Sequence, residues 1–137
     1  MRKIDEMVPD LGLLKSVLVV MAIAVVLELT GVWATMVLAG GVGALFVRSG
    51  KRAFLVGLAG VGAAWTLIFA YLIVFAQALE IADFFAGLMG AVGMGGIIIG
   101  MSILLGGLVG GCGGFLGRSM IELVDALVDR HQGPAPA

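Results

Sequence analysis

The sequence of 137 residues has very few of the residues from which metal centres, disulfides and catalytic sites are built. It contains one cysteine, Cys112, and one histidine, His131, and it has no asparagine. A single cysteine cannot form a disulfide within the chain, and this pair is too small a donor set for a protein-supplied zinc or haem site. There is also no Ser-His-Asp set and no HExxH motif. We therefore expect no enzyme activity, no metal site and no cofactor.

Charged residues are scarce as well. Asp, Glu, Lys and Arg make up 12% of the chain, whereas apolar residues make up 61%. A typical globular protein has about 25% charged and roughly 45–50% apolar residues. A soluble domain of this size buries only about two thirds of its chain and could not hide so much apolar surface. The composition predicts an integral membrane protein whose partner is membrane lipid, and nothing in it indicates binding of nucleic acid.

Apolar stretches of helical length predict an all-α, polytopic protein with a four-helix transmembrane bundle. The first stretch has 19 positions, nearly all apolar, which at about 1.5 Å per residue cross close to 30 Å of hydrocarbon. Acidic residues at Asp5, Glu6 and Asp10 separate it from the basic start of the chain, so we expect a retained span and no cleaved signal peptide. A cytoplasmic N-terminus at residues 1–10 precedes a transmembrane domain at 11–117, with spans at 11–29, 32–47, 53–79 and 97–117.

The region from residue 84 to residue 117 has no charge and is too long for a single span. Its 34 residues would form a helix of about 50 Å, well over the thickness of the bilayer core. The glycines at 93–96 are the expected break. We predict an interfacial or re-entrant segment at 84–95 before the last span, and two short spanning legs are the alternative.

The distribution of charge favours four spans. The side opposite the termini carries only Glu28, Glu80 and Asp83. The positive-inside rule then predicts a multi-pass protein of the cell membrane with both termini in the cytoplasm. A fifth span would move Arg118 and Arg130 to the outside. In the four-span arrangement all eight Lys and Arg residues share one side: Arg2, Lys3, Lys15, Arg48, Lys51, Arg52, Arg118 and Arg130.

The polar end of the chain predicts one more helix. Ser119 and Glu122 have the spacing of a capping box, and apolar residues follow at helical spacing. We expect a short amphipathic cytoplasmic helix at 118–130 and a flexible tail at 131–137.

Two segments of the chain are similar to each other. Residues 38–49 and 108–119 are identical at six of twelve aligned positions: a Leu, three Gly, an Arg and a Ser. Both close an even-numbered span on the predicted cytoplasmic side. The similarity predicts a possible repeat of two parallel hairpins, and chance similarity between glycine-rich segments is the alternative.

Glycine is the most informative residue of this glycine-rich chain, because 13 of its 23 glycines lie between residues 84 and 117. In lipid, small residues let helix backbones approach closely enough for dispersion forces to hold them together. Glycines that recur every four residues predict a helix face that packs against another helix, either of the same chain or of a second copy. A flexible, poorly helical segment is the alternative. The predicted helix-packing residues are Gly96, Gly100, Gly106, Gly107, Gly110, Gly111, Gly113, Gly114 and Gly117.

Charged groups near the predicted span ends give two further candidate sites. Glu28, Glu80 and Asp83 are candidate ion or proton ligands, although solvated boundary residues would have the same positions. Glu28 is the one that we expect to reach a turn inside the apolar region. The basic residues near the predicted cytoplasmic side are candidates for contact with lipid headgroups, or they only fix the topology: Arg48, Lys51, Arg52 and Arg118.

These features favour a small structural or assembly protein that self-associates in the membrane as a homo-oligomer through glycine-rich helix faces. Polar groups inside the spans are too few to indicate a transport path within one chain. One alternative is an oligomeric small channel or transporter that uses Glu28 and Glu80. The other is an accessory subunit of a larger membrane complex.

Overall fold

The computed structural model describes residue 8 and residues 10–132, so most of the predicted N-terminal segment and of the predicted tail lies outside the described residues. Within the described part, every regular element is a helix, which confirms the predicted all-α class. The helices, numbered along the chain, are α1 (Gly12–Glu28), α2 (Thr35–Gly43, continued by a 3-10 turn at Ala44–Phe46), α3 (Gly50–Ala76), α4 (Ala78–Leu88) and α5 (Gly95–Gln132).

Two of the described helices, α3 and α5, are long and apolar enough to cross a membrane. They have 27 and 38 residues, which correspond to about 40 Å and about 57 Å. The other two candidate spans are shorter. α1 has 17 residues, and α2 has 9 residues with 3 more in its 3-10 turn, so they measure about 26 Å and about 18 Å.

The chain between the two long helices turns twice. α3 ends at Ala76, and Gln77 adopts a left-handed conformation with φ of 53°, after which α4 begins at once. The second turn contains Gly90 and Gly93, whose φ angles of 82° and 78° suit glycine. Residues 84–95, predicted as an interfacial or re-entrant segment, therefore comprise the second half of α4 and this turn.

α5 continues without interruption through the region where a separate helix was predicted to start. The Ser119 hydroxyl donates a hydrogen bond to the Phe115 carbonyl oxygen, 3.1 Å away, as serine does inside a helix. Glu122 pairs with Arg118, one turn earlier in the same helix. The predicted capping box is therefore wrong, and residues 118–130 extend α5.

α1, α2, α3 and α5 form a bundle in which elements that follow one another along the chain alternate in direction. α3 and α5 are antiparallel, because Gly107 lies beside Leu58 and Gly114 lies beside Ala53. α2 and α5 are parallel, since Gly40 lies beside Gly110 and Ala44, which follows α2, lies beside Gly117, further along α5. The fully buried apolar residues lie where these helices cross: Val20, Ala39, Ala44, Ala53, Val56, Val61 and Ala64.

The bundle has two chemically different ends. At the basic end, α1 begins beside the end of α2, and the Ser16 hydroxyl reaches the Phe46 carbonyl oxygen at 3.5 Å. The acidic end carries Glu80 and Asp83, and Glu28 ends α1 on the same side but at the level of Trp65. We call the portion of the bundle on the basic side of Trp65 the basic half and the portion beyond it the acidic half. The described cations near the basic end are Lys15, Arg48, Lys51, Arg52 and Arg118.

Candidate functional site

Seven of the predicted packing glycines lie where α5 faces α2 and α3. The Gly110 carbonyl oxygen is so close to Gly40 of α2 and Gly57 of α3 that a Cβ atom at either position would overlap it. A Cβ atom on Gly117 would be 2.8 Å from the Gly41 carbonyl oxygen. Backbone therefore meets backbone where the helices cross, an approach that small residues permit. The seven are Gly106, Gly107, Gly110, Gly111, Gly113, Gly114 and Gly117.

The other two predicted packing glycines, Gly96 and Gly100, have no such neighbour. A Cβ atom on either would meet nothing within 4 Å outside its own helix turn. Helical spacing places them on the face that carries Gly107, which lies against α3. Ile97 and Leu104 beside them are 57% and 54% exposed. The structure thus divides one predicted glycine face into a part covered by α3 and an open part.

Arg118 is buried at the basic end, with its side chain only 7% exposed. Its Nε donates to Glu122 Oε1 at 2.9 Å, and its Nη1 donates to the Val47 carbonyl oxygen at 3.1 Å. These bonds join α5 to the segment that follows α2. The guanidinium is turned into the protein, so the structure does not place Arg118 at the lipid headgroups. The other cations predicted to contact headgroups are exposed: Arg48, Lys51 and Arg52.

The three predicted carboxylates have different surroundings. Asp83 Oδ1 accepts a hydrogen bond from the Gly95 backbone N–H at 2.6 Å and so caps the start of α5. Glu80 is exposed in the first turn of α4. Glu28 is half-buried and contacts Trp65 of α3. Among the described residues, no group of three or more His, Cys, Asp or Glu side chains could hold a metal ion.

Glu28 is the carboxylate that lies deepest relative to the long helices. The Trp65 indole Nε1–H donates to Glu28 Oε1 at 3.2 Å. Trp65 is followed by eleven more residues of α3, which extend about 16 Å before the helix ends at Ala76. The structure therefore places Glu28 well inside the length of α3.

Trp65 separates two apolar grooves of the acidic half. The groove between α1 and α3 has a volume of about 320 Å³, and Glu28 and Phe69 are among its lining residues. The second groove, of about 290 Å³, lies on the α5 side and is lined in part by Trp33 and Ser102. The ring centroids of Trp65 and Phe69 are 5.4 Å apart, and the ring planes are inclined at 51°. The first groove therefore combines one carboxylate with two aromatic rings.

Trp65 is the residue of this site that sequence reasoning missed. It lies near the middle of the predicted span 53–79, whereas tryptophan in membrane proteins prefers the interface. The position of a tryptophan so far from the interface could have marked Trp65 as a site residue, but it does not identify Glu28 as its partner.

No protein-family model, curated protein or solved structure matches the chain.

Proposed function

We propose that the chain is a four-span structural or assembly protein of the cell membrane, with both termini in the cytoplasm, that self-associates through α5. The length and hydropathy of α3 and α5 support membrane crossing. The alternating directions of successive helices support the four-span arrangement, because they bring Lys15 and Arg118 to the same end as Arg48, Lys51 and Arg52, which lie between α2 and α3 or in the first turn of α3. The positive-inside rule assigns such an end to the cytoplasm.

The short helices α1 and α2 leave the acidic half incomplete. Glu28 ends α1 at the level of Trp65, whereas α3 continues to Ala76. A helix shorter than the bilayer core can be accommodated by local thinning of the bilayer or by association with other helices. Beyond the level of Glu28 and Trp65, α4 is the described helix that accompanies the two long helices. This half therefore has apolar helix surface that lipid or a further protein must cover.

The observation that carries self-association is the open part of the glycine face. Gly107 and Gly111 of this face receive the Leu58 backbone and the Phe54 ring of α3. Gly96 and Gly100 continue the same face without a neighbouring element. A surface that admits a helix at one level has a similar shape two turns further along, so it can admit another helix there. We assign that position to α5 of a second copy, in a symmetric pair.

Subunit counting in lipid bilayers tests this assignment. The chain is labelled, reconstituted at low density, and analysed by single-molecule photobleaching. We expect wild-type dimers or larger oligomers and mainly monomers for Gly100→Leu, because the leucine fills the open face and a Cβ atom at this position meets nothing within 4 Å in its own chain. The matched control is Cys112→Leu, which adds a leucine at an exposed position in the basic half of the same helix.

Two results would contradict the proposal: a wild-type chain that is monomeric at every density, or equal assembly of the two variants. Gly110→Leu cannot replace Gly100→Leu, since Gly110 packs against Val61 within the chain. A wild-type monomer that copurifies with other membrane proteins at a fixed ratio would favour an accessory subunit of a larger complex.

The possible two-hairpin repeat is also part of this proposal. The aligned segments 38–49 and 108–119 belong to α2 and α5, which run parallel. Gly40 and Gly110 are equivalent in the alignment, and they lie in contact in the structure. Equivalent residues of two related copies meet at the axis that relates them, so this contact supports a common origin of the two segments.

A further inference from the structure

The carboxylate of Glu28 has more acceptor capacity than its surroundings use. A carboxylate has about four acceptor sites, and the Trp65 indole supplies one donor at 3.2 Å. The remaining groove residues are apolar, among them Val25, Ile68 and Leu72. Within the described part of the chain, no cationic side chain pairs with Glu28. Acidic groups within membrane spans are costly and usually have a partner or a function, so this group calls for a cation.

We propose that the groove between α1 and α3 binds a lipophilic organic cation of the quaternary ammonium class. Glu28 supplies the opposite charge. The Trp65 and Phe69 rings, whose planes are inclined at 51°, both line this groove, and aromatic rings attract such cations. The apolar walls accommodate the organic substituents. The volume of about 320 Å³ lies at the small end of the range of roughly 300–1,000 Å³ for small-molecule sites.

The donor set distinguishes this ligand from an inorganic ion. A divalent cation such as Ca²⁺ needs about six to eight oxygen ligands, and the groove offers the carboxylate of Glu28 among apolar side chains. A quaternary ammonium ion needs no such coordination shell, because its charge is spread beneath methyl groups. One carboxylate and the aromatic rings of Trp65 and Phe69 are groups of the kind that bind it.

The position of the groove makes it independent of the proposed self-association. It lies between α1 and α3, whereas the open glycines Gly96 and Gly100 lie on α5. The second groove, lined by Trp33 and Ser102, lies on the other side of Trp65 and has no carboxylate among its lining residues. It therefore provides an internal comparison for the contribution of charge.

Titration of the purified chain in non-ionic detergent with benzyltrimethylammonium tests the proposal, with heat or saturation-transfer NMR as the readout. Neopentylbenzene, which has nearly the same shape without the charge, is the matched ligand. We expect saturable binding of the ammonium ion at one site per chain and no saturable binding of the neutral compound. Glu28→Gln keeps an acceptor for Trp65 and removes the charge, so it should weaken binding at least tenfold. Glu80→Gln, a change at an exposed carboxylate, should leave binding unchanged.

A second pair of variants tests the aromatic faces. Trp65→Leu should weaken binding at least fivefold, whereas Trp33→Leu in the other groove should not change it. Circular dichroism and thermal unfolding check that each variant is folded. If Trp65→Leu does not fold, the affinity of Glu28→Gln for the ammonium ion tests the proposal by itself. The proposal is overturned by equal affinities of wild type and Glu28→Gln, by equal binding of the neutral compound, or by absence of saturable binding to wild type. Gly100→Leu should bind like wild type, which separates this result from the assembly experiment.

Discussion

The two halves of this bundle differ in whether the glycines of α5 meet a neighbouring helix. In the basic half, α2, α3 and α5 approach so closely at Gly40, Gly57 and Gly110 that carbonyl oxygens occupy the space of absent side chains. In the acidic half, Gly96 and Gly100 belong to the same kind of face but contact no neighbouring element. The comparison shows that a glycine spacing predicts where close packing is possible and leaves open which helix will use it.

The largest expected effect comes from Gly110→Leu, which inserts a side chain into the crossing of three helices. A Cβ atom there already overlaps Val61, and it would lie 2.8 Å from the Gly57 carbonyl oxygen. We expect a loss of more than about 3 kcal/mol in the free energy of unfolding, beyond the usual cost of overpacking, because backbone atoms cannot move aside. Unfolding in mixed detergent micelles measures it. Cys112→Leu is the control, and equal losses for both variants would remove the distinction between the halves.

Arg118→Leu should have the next largest effect, since it removes the guanidinium that joins α5 to the segment after α2. The Val47 carbonyl oxygen loses a donor at a buried site, which costs about 1–3 kcal/mol in the free energy of unfolding. Arg52→Leu at the same end replaces an exposed cation and should change that free energy by less than about 0.5 kcal/mol. If the two variants lost the same stability, the net charge of the basic end would be responsible and the buried hydrogen bonds would not.

In the acidic half, Asp83→Ala probes the hydrogen bond that fastens α4 to the start of α5. Loss of a side-chain cap costs about 1 kcal/mol, and the exchange of the Gly95 amide proton with solvent should become faster. Asp83→Asn keeps an acceptor and should recover part of the loss. Glu80→Ala is the matched control in α4, and an equal effect there would show that the cap contributes nothing.

The smallest expected change in stability has opposite signs in the two halves. Gly100→Ala adds a methyl group in open space and should stabilise the monomer by up to about 1 kcal/mol, because alanine favours a helix over glycine. Gly110→Ala should destabilise it, because the methyl group meets Val61 and the Gly57 backbone. Thermal unfolding in detergent, at a dilution where the chain is monomeric, compares the two. Changes of the same sign would mean that helix propensity outweighs packing at both positions.

Much of the helical architecture was predictable because it depends on local pattern. Long apolar stretches predicted the all-α class, and the glycines at 93–96 predicted a break that the structure has at Gly90 and Gly93, just before α5. The end of α3 was not predictable, since Gln77 has no side-chain feature that favours a left-handed conformation. The capping box at Ser119 failed because the same hydroxyl can bond to a carbonyl oxygen of its own helix.

The candidate site was less predictable because it depends on partners that are distant in the sequence. Glu28 and Trp65 are 37 residues apart, and no periodic pattern relates them. The spacing around Gly100 resembles that around Gly107, yet α3 covers only the latter. The path of α3 relative to α5 decides between them, and that path is set by the whole bundle.

The crossing at Gly110 has a consequence for how such a chain can diverge. Because helices meet there through main-chain atoms, exchanges among Leu, Ile and Val on the exposed apolar surface would accumulate at little cost. One inserted residue between Gly107 and Gly110 would instead rotate the glycines that follow by about 100° and turn them away from α2. Descent in proteins built this way would be recorded in the register of their glycines more faithfully than in overall sequence identity.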